Sequence, residues 1–372
     1  MGTFCGVLGF GTETSDFNEL RRLCGMGVGC AYAGSEFSVI YFGDARVFEK
    51  PLQPVTVCHN GHLYTSVVIS AEYPPSSTSL ASEILGRYLE AGEGCFTHLN
   101  IPFAALIYDG RCGELLACRS GVAGGAVPLF FAKKGEKIYF STSLFPLYRL
   151  FGGCIMVNKR VLREYICSDM AVAPADLFCD IRPIGRGRGV LCTRFGESEV
   201  DVHATQYFSQ LPQALIGVAP QKSCADGIEG VLTDALFAYG YPQFDCYMPA
   251  FVSEVRRAAA QGLRAVRIQD ATLESGEYCE QRAYVLSELC GMRIISVRSR
   301  ASLMGKHAMK VMEKKIDGLL APYIDDSSSV LYSIFEDRCA WENKKSIPSR
   351  IRTKGMLYQT VKWLEHFNIA IV

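Results

Sequence analysis

An apolar strand that ends in an Asn-Gly pair constrains the fold of this chain more than any other feature. Residues 58–64 read CHNGHLY and follow an apolar run at residues 55–57. Asn-Gly is usually a tight turn, because glycine adopts positive φ freely and asparagine nearly does. A second apolar strand lies before the pair, at residues 4–10, and a helix followed by a strand lies after it, at residues 81–109. The order of these pieces predicts a sheet-rich unit organised around this turn.

Length, charge and hydropathy restrict the class of protein. The chain has 372 residues, which is enough for two domains. Lys+Arg and Asp+Glu both number 38, so the net charge favours neither nucleic acid nor an anionic membrane as a partner. The N-terminus lacks the pattern of a signal peptide, and no run of about 18 apolar residues occurs. We therefore predict a cytoplasmic protein that binds neither nucleic acid nor a membrane.

The cysteines give no sign of a metal site. Sixteen of them are scattered along the chain, without the paired C-x-x-C spacing of a zinc site. The pattern favours buried thiols in a reducing compartment over a disulfide framework or an iron–sulfur site.

Residues 1–208 have the pattern of a sheet-rich α+β domain. The predicted strands are residues 4–10, 39–42, 55–57, 103–108, 115–118, 128–132, 137–141 and 189–194. The predicted helices are residues 18–23, 81–90 and 163–167. About 200 residues is large but within the usual range for one domain.

The pattern changes after a predicted linker at residues 209–223, which carries Pro and Gly. Residues 224–372 alternate between helices and strands. The predicted helices are residues 226–239, 252–261, 277–290, 306–316 and 357–366, and the predicted strands are residues 245–248, 264–268, 293–297 and 368–372. This alternation predicts a parallel sheet covered by helices.

Eight short motifs in residues 4–208 stand in the order found in the glutaminase half of asparagine synthetase, and the chain resembles that family. They read CGVLGF, QP, NGHLY, SEILGRYL, IPFAALIYD, PLFF, FSTS and IRPIGRG. The resemblance implies a glutamine amidotransferase type 2-like domain with the α+β N-terminal-nucleophile sandwich (αββα), in which two antiparallel sheets lie between helices. It also implies that Cys5 is the nucleophile, with its own α-amino group as base, and that Asn60 and Gly61 form the oxyanion hole.

The sequence departs from that pattern at the positions that bind glutamine. Residues 1–4 precede Cys5, so its nitrogen is a peptide nitrogen unless the chain is cut after Phe4. His62 replaces a glutamate, and Ala81 replaces the aspartate that holds the substrate amino group in the family. Each lost contact to a charged group is worth about 1.5–3 kcal/mol. The departures favour Cys5 as a buried strand residue over Cys5 as a nucleophile.

Residues 224–372 resemble the synthetase half of the same family, a PP-loop ATP pyrophosphatase domain with a parallel α/β sheet, here incomplete at its C-terminus. The strand at residues 264–268 and the run EYCEQRAYVLSELCGMRIISV match best, and they place the S-G-G-x-D-S-S loop at residues 247–254, YMPAFVSE. By this match Ser253 and Ile268 are the implied nucleotide-binding residues. Met248, Pro249 and Ala250 stand where glycines would let the backbone wrap phosphates.

Two functions follow from the resemblance. The first is a degenerate relative of asparagine synthetase that has lost ATP-dependent amide formation and acts by binding, by regulation or as a scaffold. The alternative is an active glutamine-dependent amide ligase, which forms an acyl-adenylate with ATP and then amidates it. ATP and Mg are the implied cofactors only if the family activity survives. Glutamine, aspartate and ATP are the expected ligands, and a homodimer or a companion chain is an expected assembly. A residual glutaminase is a third, weaker hypothesis.

Overall fold

The computed structural model describes residues 3–9, 15–24, 30–33, 36–42, 55–60, 65–71, 80–97, 99, 103–121, 127–152, 155–168, 175–202, 214–216, 227–244, 246, 248–261, 265–270, 293–298, 306–335, 346–367 and 369–372. They form two compact units, Met1–Phe151 with Asp180–Leu211, and Gly152–Cys179 with Pro212–Val372. The segment 152–179 thus packs with the second unit, although it lies within the predicted domain 1–208. The boundaries 1–208, 209–223 and 224–372 remain predictions.

The strands of the described residues are, in chain order, β1 Thr3–Gly9, β2 Cys30–Ala33, β3 Phe37–Phe42, β4 Val55–Asn60, β5 Thr65–Ala71, β6 Phe103–Asp109, β7 Glu114–Arg119, β8 Phe130–Lys134, β9 Lys137–Ser141, β10 Ile155–Val157, β11 Ile181–Pro183, β12 Arg188–Thr193, β13 Gly196–Asp201, β14 Ala214–Ile216, β15 Ala265–Asp270, β16 Arg293–Arg298 and β17 Ile369–Ile371. The α-helices are α1 Ser15–Cys24, α2 Leu80–Ala91, α3 Leu144–Leu150, α4 Lys159–Cys167, α5 Ile228–Tyr239, α6 Met248–Ala260, α7 Lys306–Ile324, α8 Val330–Ile334 and α9 Ile347–Phe367. A 3₁₀ helix, Gly92–Phe96, follows α2.

The first unit contains two antiparallel six-stranded sheets. Sheet 1 has the order β11-β8-β9-β1-β3-β2, and sheet 2 has the order β13-β12-β7-β6-β5-β4. One apolar core joins β1, β3, β8 and β9 to β6, β7 and β12, so the two sheets face each other. A second core lies between sheet 2 and α2, and α1 covers sheet 1. The predicted α+β architecture of two stacked antiparallel sheets is confirmed.

The strand β6 shows how the sequence produces this layering. All seven of its residues, FAALIYD, are buried. Side chains of a strand alternate between its two faces. Leu106 therefore lies in the core between the sheets, whereas its neighbours Ala105 and Ile107 lie in the core beneath α2. An apolar run without polar alternation is typical of a strand that is covered on both faces.

The turn between β6 and β7 is built on Asp109, which is 2% exposed. Its carboxylate accepts hydrogen bonds from the backbone N–H of Arg111 at 3.0 Å and from the Arg111 Nε at 2.9 Å. Its carbonyl accepts a hydrogen bond from the N–H of Gly113 at 2.9 Å. Burial acts to raise the pKa of Asp109, but the hydrogen bonds and the charge of Arg111 outweigh it, so the pKa lies below its ordinary value.

Replacing Asp109 by asparagine is expected to destabilise the first unit by about 1–3 kcal/mol at neutral pH, because charge-assisted hydrogen bonds to Arg111 are lost. A carboxyl group whose folded pKa lies below its unfolded pKa stabilises the fold above the unfolded value, and this contribution is lost as the pH falls through the folded value. The difference between the two proteins should therefore shrink as the pH falls below about 4. Urea unfolding followed by circular dichroism, at neutral and at acid pH, measures this difference in the free energy of unfolding.

The matched control is Asp201→Asn, since Asp201 pairs with Arg188 and both side chains are more than half exposed. Such exposed pairs contribute about 0–1 kcal/mol. An Asp109→Asn effect as small as the control, or one that stays constant with pH, would show that the Arg111 pair does not hold this turn.

The second unit contains parallel strands, as the alternation of helices and strands predicts. The strands β14, β15 and β16 form a parallel sheet in that order, and β10 pairs in parallel with β17. The strand β14 lies inside the predicted linker, so residues 214–216 of that linker are part of this sheet. None of the helices in the described part of the chain is both long and apolar enough to cross a membrane.

Two predicted elements of the second unit need comment. The strand predicted at residues 245–248 is wrong, because Cys246 lies in a turn and Met248 begins the helix α6. A proline fits the first turn of a helix, where its missing N–H has no helical partner, and Pro249 occupies that turn. The helix predicted at residues 277–290 lies outside the described residues.

Candidate functional site

Cys5 lies in the middle of sheet 1. Its strand β1 pairs with β3 on one side and with β9 on the other, and in this register Cys5 stands opposite Ile40 and Ser141. The side chain is 1% exposed. This agrees with the interpretation of Cys5 as a buried strand residue.

The face of the sheet to which Cys5 belongs follows from its neighbour. A methyl group added at Gly6 would lie 3.0 Å from Leu106 Cδ1, an atom of sheet 2, so position 6 faces the space between the sheets. Successive residues of a strand point to opposite faces. Cys5 therefore points away from sheet 2 and toward the layer that contains α1.

The environment of Cys5 disfavours a thiolate. A side-chain hydrogen bond with Cys24, together with burial, raises the pKa of the Cys5 thiol well above its ordinary value, and the hydrogen bond with Ser141 opposes this only partly. The thiolate is the nucleophilic form of cysteine. In this arrangement Cys5 is a protonated thiol at neutral pH.

The residue before Cys5 is built into the sheet. Phe4 is 1% exposed and belongs to the core between the two sheets. Its backbone N–H donates to the Thr142 Oγ1 at 3.1 Å, and its carbonyl accepts the N–H of Thr142 at 3.2 Å and the Ser141 Oγ at 3.2 Å. The nitrogen of Cys5 is thus an amide nitrogen within a paired strand.

The structure assigns the predicted oxyanion-hole residue Asn60 to the other sheet. Asn60 is the last residue of β4, which ends the order of sheet 2, and it stands opposite Thr65 of β5. Gly61 and His62 lie outside the described residues. The roles of Cys5, Asn60 and Gly61 in one site therefore remain predictions.

Two side chains of the first unit serve packing here, namely Ala81, where the sequence departs from the glutamine-binding pattern, and Glu36. Ala81 is fully buried in the core beneath α2, where a carboxylate would lose its hydration. Glu36 accepts a hydrogen bond from the Tyr108 hydroxyl at 2.9 Å and an ion-pair contact from Arg194. Both side chains therefore make contacts that belong to the folded structure of the first unit.

The predicted nucleotide-binding residues lie on different elements of the second unit. Ser253 is an exposed residue of α6, and Ile268 is part of β15, opposite Ile216 and Ser296 of the neighbouring strands. The loop predicted at residues 247–254 falls on the helix α6, which begins at Met248, and no strand is assigned at residues 242–244 before it. The role of Ser253 and Ile268 in nucleotide binding stays a prediction.

A strand that is followed in the chain by a helix occurs elsewhere, at β14 and α5. The apolar run ALIGV at residues 214–218 is the sequence signal that could have located it. Residues 217–226 themselves lie outside the described part of the chain.

Comparison with known proteins indicates what kind of domain the first unit is similar to. Residues 44–207 match the family model described as a glutamine amidotransferase domain, and Cys5 lies outside the matched residues. Asparagine synthetase [glutamine-hydrolyzing] 3 of Bacillus subtilis is 27% identical over 115 residues, which are 31% of this chain and 16% of that protein. Residues 44–207 are thus similar to a glutamine amidotransferase domain, and part of the chain is similar to an asparagine synthetase, although that match spans about one sixth of the curated relative's length.

Two solved structures resemble the chain more distantly. One is the glutamine phosphoribosylpyrophosphate amidotransferase of B. subtilis with ADP and GMP, at 10% identity and a TM-score of 0.35, covering 79% of this chain and 65% of that one. The other is described as the allosteric regulatory enzyme of purine biosynthesis, at 9% identity and a TM-score of 0.32, covering 82% of this chain and 61% of that one.

Proposed function

We propose that this chain is an asparagine synthetase-related protein whose amidotransferase-like unit does not hydrolyse glutamine and which acts by binding rather than by forming amides with ATP. The observation that carries the proposal is that Cys5 is joined to Phe4, a residue that is itself built into the sheet. Phe4 is buried and hydrogen-bonded to Thr142, so Cys5 follows it within a paired strand.

The chemistry of the nucleophile supports this proposal. An N-terminal nucleophile needs a free amine that accepts the proton of its own thiol. The lone pair of an amide nitrogen is delocalised into the carbonyl, so an amide cannot act as this base. The thiol of Cys5 also has a raised pKa. Cleavage after Phe4 would create the amine but would break the contacts of Phe4 with Thr142 and with the core.

The second unit supports the loss of ATP-dependent chemistry. Residues 247–254, where the loop is predicted, read YMPAFVSE, and residues 217–226, which follow β14 in the sequence, read GVAPQKSCAD. Neither contains the paired glycines that allow backbone N–H groups to approach phosphates closely. A role in binding or regulation, in a homodimer or with a companion chain, fits both units.

A glutaminase assay on the purified full chain tests the proposal. We expect no release of glutamate from glutamine above the buffer rate, and the same result for Cys5→Ala. The mass of the intact protein, measured on the same sample, shows whether residue 4 is still attached to Cys5. Glutamate release that disappears in Cys5→Ala would overturn the proposal.

Calorimetric titration with glutamine and with Mg-ATP separates binding from turnover. Heat of binding for glutamine without glutamate release supports a binding role for the first unit. Pyrophosphate exchange into ATP that depends on aspartate would instead favour the amide ligase.

A further inference from the structure

The helix α7 of the second unit presents a row of lysines to solvent. Lys306, Lys310 and Lys314 are all exposed, and each follows the last after four residues. Residues four apart lie on one side of a helix, about 6 Å from each other along its axis. We call these three residues the lysine row. In the described part of the chain, no member of the row forms an ion pair with a carboxylate.

The carboxylates of α7 point away from this row. The Arg350 Nε donates to the Glu313 Oε1 at 2.7 Å, and the Lys354 Nζ donates to the same oxygen at 3.1 Å. The Lys354 Nζ also lies 2.7 Å from the Asp317 Oδ1. Both cations belong to α9, and Glu313 and Asp317 are the only acidic residues of α7. The charges of α7 are thus sorted, with negative charge toward α9 and positive charge toward solvent.

Two further residues of the exposed side are unusual for a face that only meets water. Val311 is 36% exposed, and Lys314 and Lys315 follow it at helical spacing. Gly318 is exposed within the helix, and a methyl group added there would meet nothing within 4 Å. Glycine is a poor helix former, and packing in the described structure does not require it here. The backbone at Gly318 is therefore open to the close approach of another chain.

We propose that the lysine row, with Val311 and Gly318, is a docking surface for an acidic segment of another polypeptide. Carboxylates on alternate residues of an extended segment are about 6.6 Å apart, and those four apart on a helix are about 6 Å apart. Both spacings match the lysine row. An apolar residue between the carboxylates would meet Val311, which gives the apolar centre and charged rim of a protein interface.

Two other kinds of anionic partner fit this surface less well. A helix that binds a lipid surface buries its apolar side chains in the bilayer. The apolar residues Met309, Met312, Ile316 and Leu320 are instead buried within the protein. Nucleic acid is typically held by arginine and by aromatic side chains that stack on bases, and residues 306–318 contain neither tryptophan, tyrosine, phenylalanine nor arginine. The zero net charge of the chain also provides no long-range attraction for a polyanion.

This inference deepens the binding role proposed above, because it names the class of partner. The two can fail separately. Glutamate release that depends on Cys5 would overturn the proposed function and leave the surface of α7 untouched, whereas the failure of an acidic peptide to bind would leave the glutaminase result unchanged.

Fluorescence anisotropy with a labelled peptide tests the docking surface on the full chain. The probe is a short peptide of glutamates with one leucine at its centre, and the control peptide has glutamine in place of every glutamate. We expect the acidic peptide to bind, and to bind more weakly as salt is added, because salt screens exposed charges. The control peptide should not bind. The proposal is overturned if the acidic peptide does not bind, or if a single-stranded oligonucleotide or vesicles of phosphatidylcholine and phosphatidylserine in equal parts bind more tightly.

Charge reversal locates the surface. Replacing the three residues of the lysine row by glutamate should lower the affinity for the acidic peptide about tenfold or more. The matched control changes the net charge equally at three exposed arginines of other elements, namely Arg22→Glu, Arg163→Glu and Arg182→Glu. It should change the affinity by about twofold at most, since exposed charges farther away than about 10 Å are largely screened. Equal losses in the two triple variants would show that the peptide senses net charge, and would overturn the proposal.

Gly318→Gln separates close docking from loose ionic attraction. The substitution adds a side chain at the proposed contact, leaves the charge unchanged and improves helix propensity. We expect the affinity for the acidic peptide to fall severalfold while its dependence on salt stays the same. An unchanged affinity would contradict close contact at α7. The peptide comparison on the unmodified protein needs no variant, so it decides the matter even if a variant fails to fold.

Discussion

Replacing Gly355 by alanine is expected to destabilise the second unit by about 3 kcal/mol or more. Gly355 lies within α9, and a methyl group at this position would stand 2.1 Å from Phe244 Cδ1 and 2.5 Å from Phe244 Cε1. The Phe244 ring is 1% exposed, and the neighbouring Gln243 N–H donates to the Gln359 side chain of α9 at 2.9 Å. Neither the ring nor its backbone can move away without breaking these contacts.

Urea unfolding followed by tryptophan fluorescence measures this effect, since both tryptophans, Trp341 and Trp363, fall within the second unit. The matched control is Gly318→Ala in α7, where an added methyl group meets nothing within 4 Å. That variant should be stabilised by about 0.5–1 kcal/mol, because alanine is the better helix former. Equal effects of the two substitutions would show that α9 does not pack on Phe244 as described.

The strands of the first unit were predictable where their burial requires an apolar run in the sequence. Apolar runs such as β6 are covered on both faces, and all seven residues of this strand are buried. The strand β13, which reads GESEVD, has no such mark because nearly all its side chains are exposed. It is a strand because its backbone pairs with β12, and this pairing cannot be seen in the side-chain pattern.

In the second unit the differences between the predicted and observed elements have a common cause, namely partners that are remote in the chain. The strand β14 pairs with β15, and Ala214 stands opposite Val266, so the segment looks like a linker when it is considered alone. The apolar residues before Pro249 were interpreted as a strand, but they have no neighbouring strand to pair with among the described residues. Local pattern locates a helix better than it locates a short strand of a parallel sheet.

The candidate site was predictable only in part. The four residues before Cys5 and the apolar pattern of β1 were enough to interpret Cys5 as a buried strand residue, and the structure places it there. The effect of Cys24 on the pKa of Cys5 left no signal in the sequence, because α1 and β1 are brought together by the packing of a helix on a sheet. Whether Asn60 and Gly61 complete a site remains a prediction.

Replacing a buried polar residue of α9 is the second substitution that we expect to lower the free energy of unfolding strongly. Gln359 is fully buried, its Oε1 accepts the N–H of Gln243 at 2.9 Å, and its Nε2 donates to the carbonyl of Leu232 at 2.7 Å. The Gln243 side chain in turn accepts a hydrogen bond from the Tyr165 hydroxyl. One side chain thus links α9, α5 and the segment before Phe244.

Replacing Gln359 by leucine keeps the size of the side chain but removes the oxygen that accepts the hydrogen bond of the Gln243 N–H. We expect a loss of about 2–3 kcal/mol in the free energy of unfolding, since an unpaired buried donor costs about 1–3 kcal/mol and the bond to Leu232 is lost as well. Thr353→Val on the same helix is the matched control, because the buried Thr353 hydroxyl finds no hydrogen-bond partner in the described structure. Its removal should be neutral or stabilising, by up to about 1 kcal/mol. Urea unfolding of both variants compares them directly, and a neutral Gln359→Leu would mean that burial alone, rather than this hydrogen bonding, holds α9 in place.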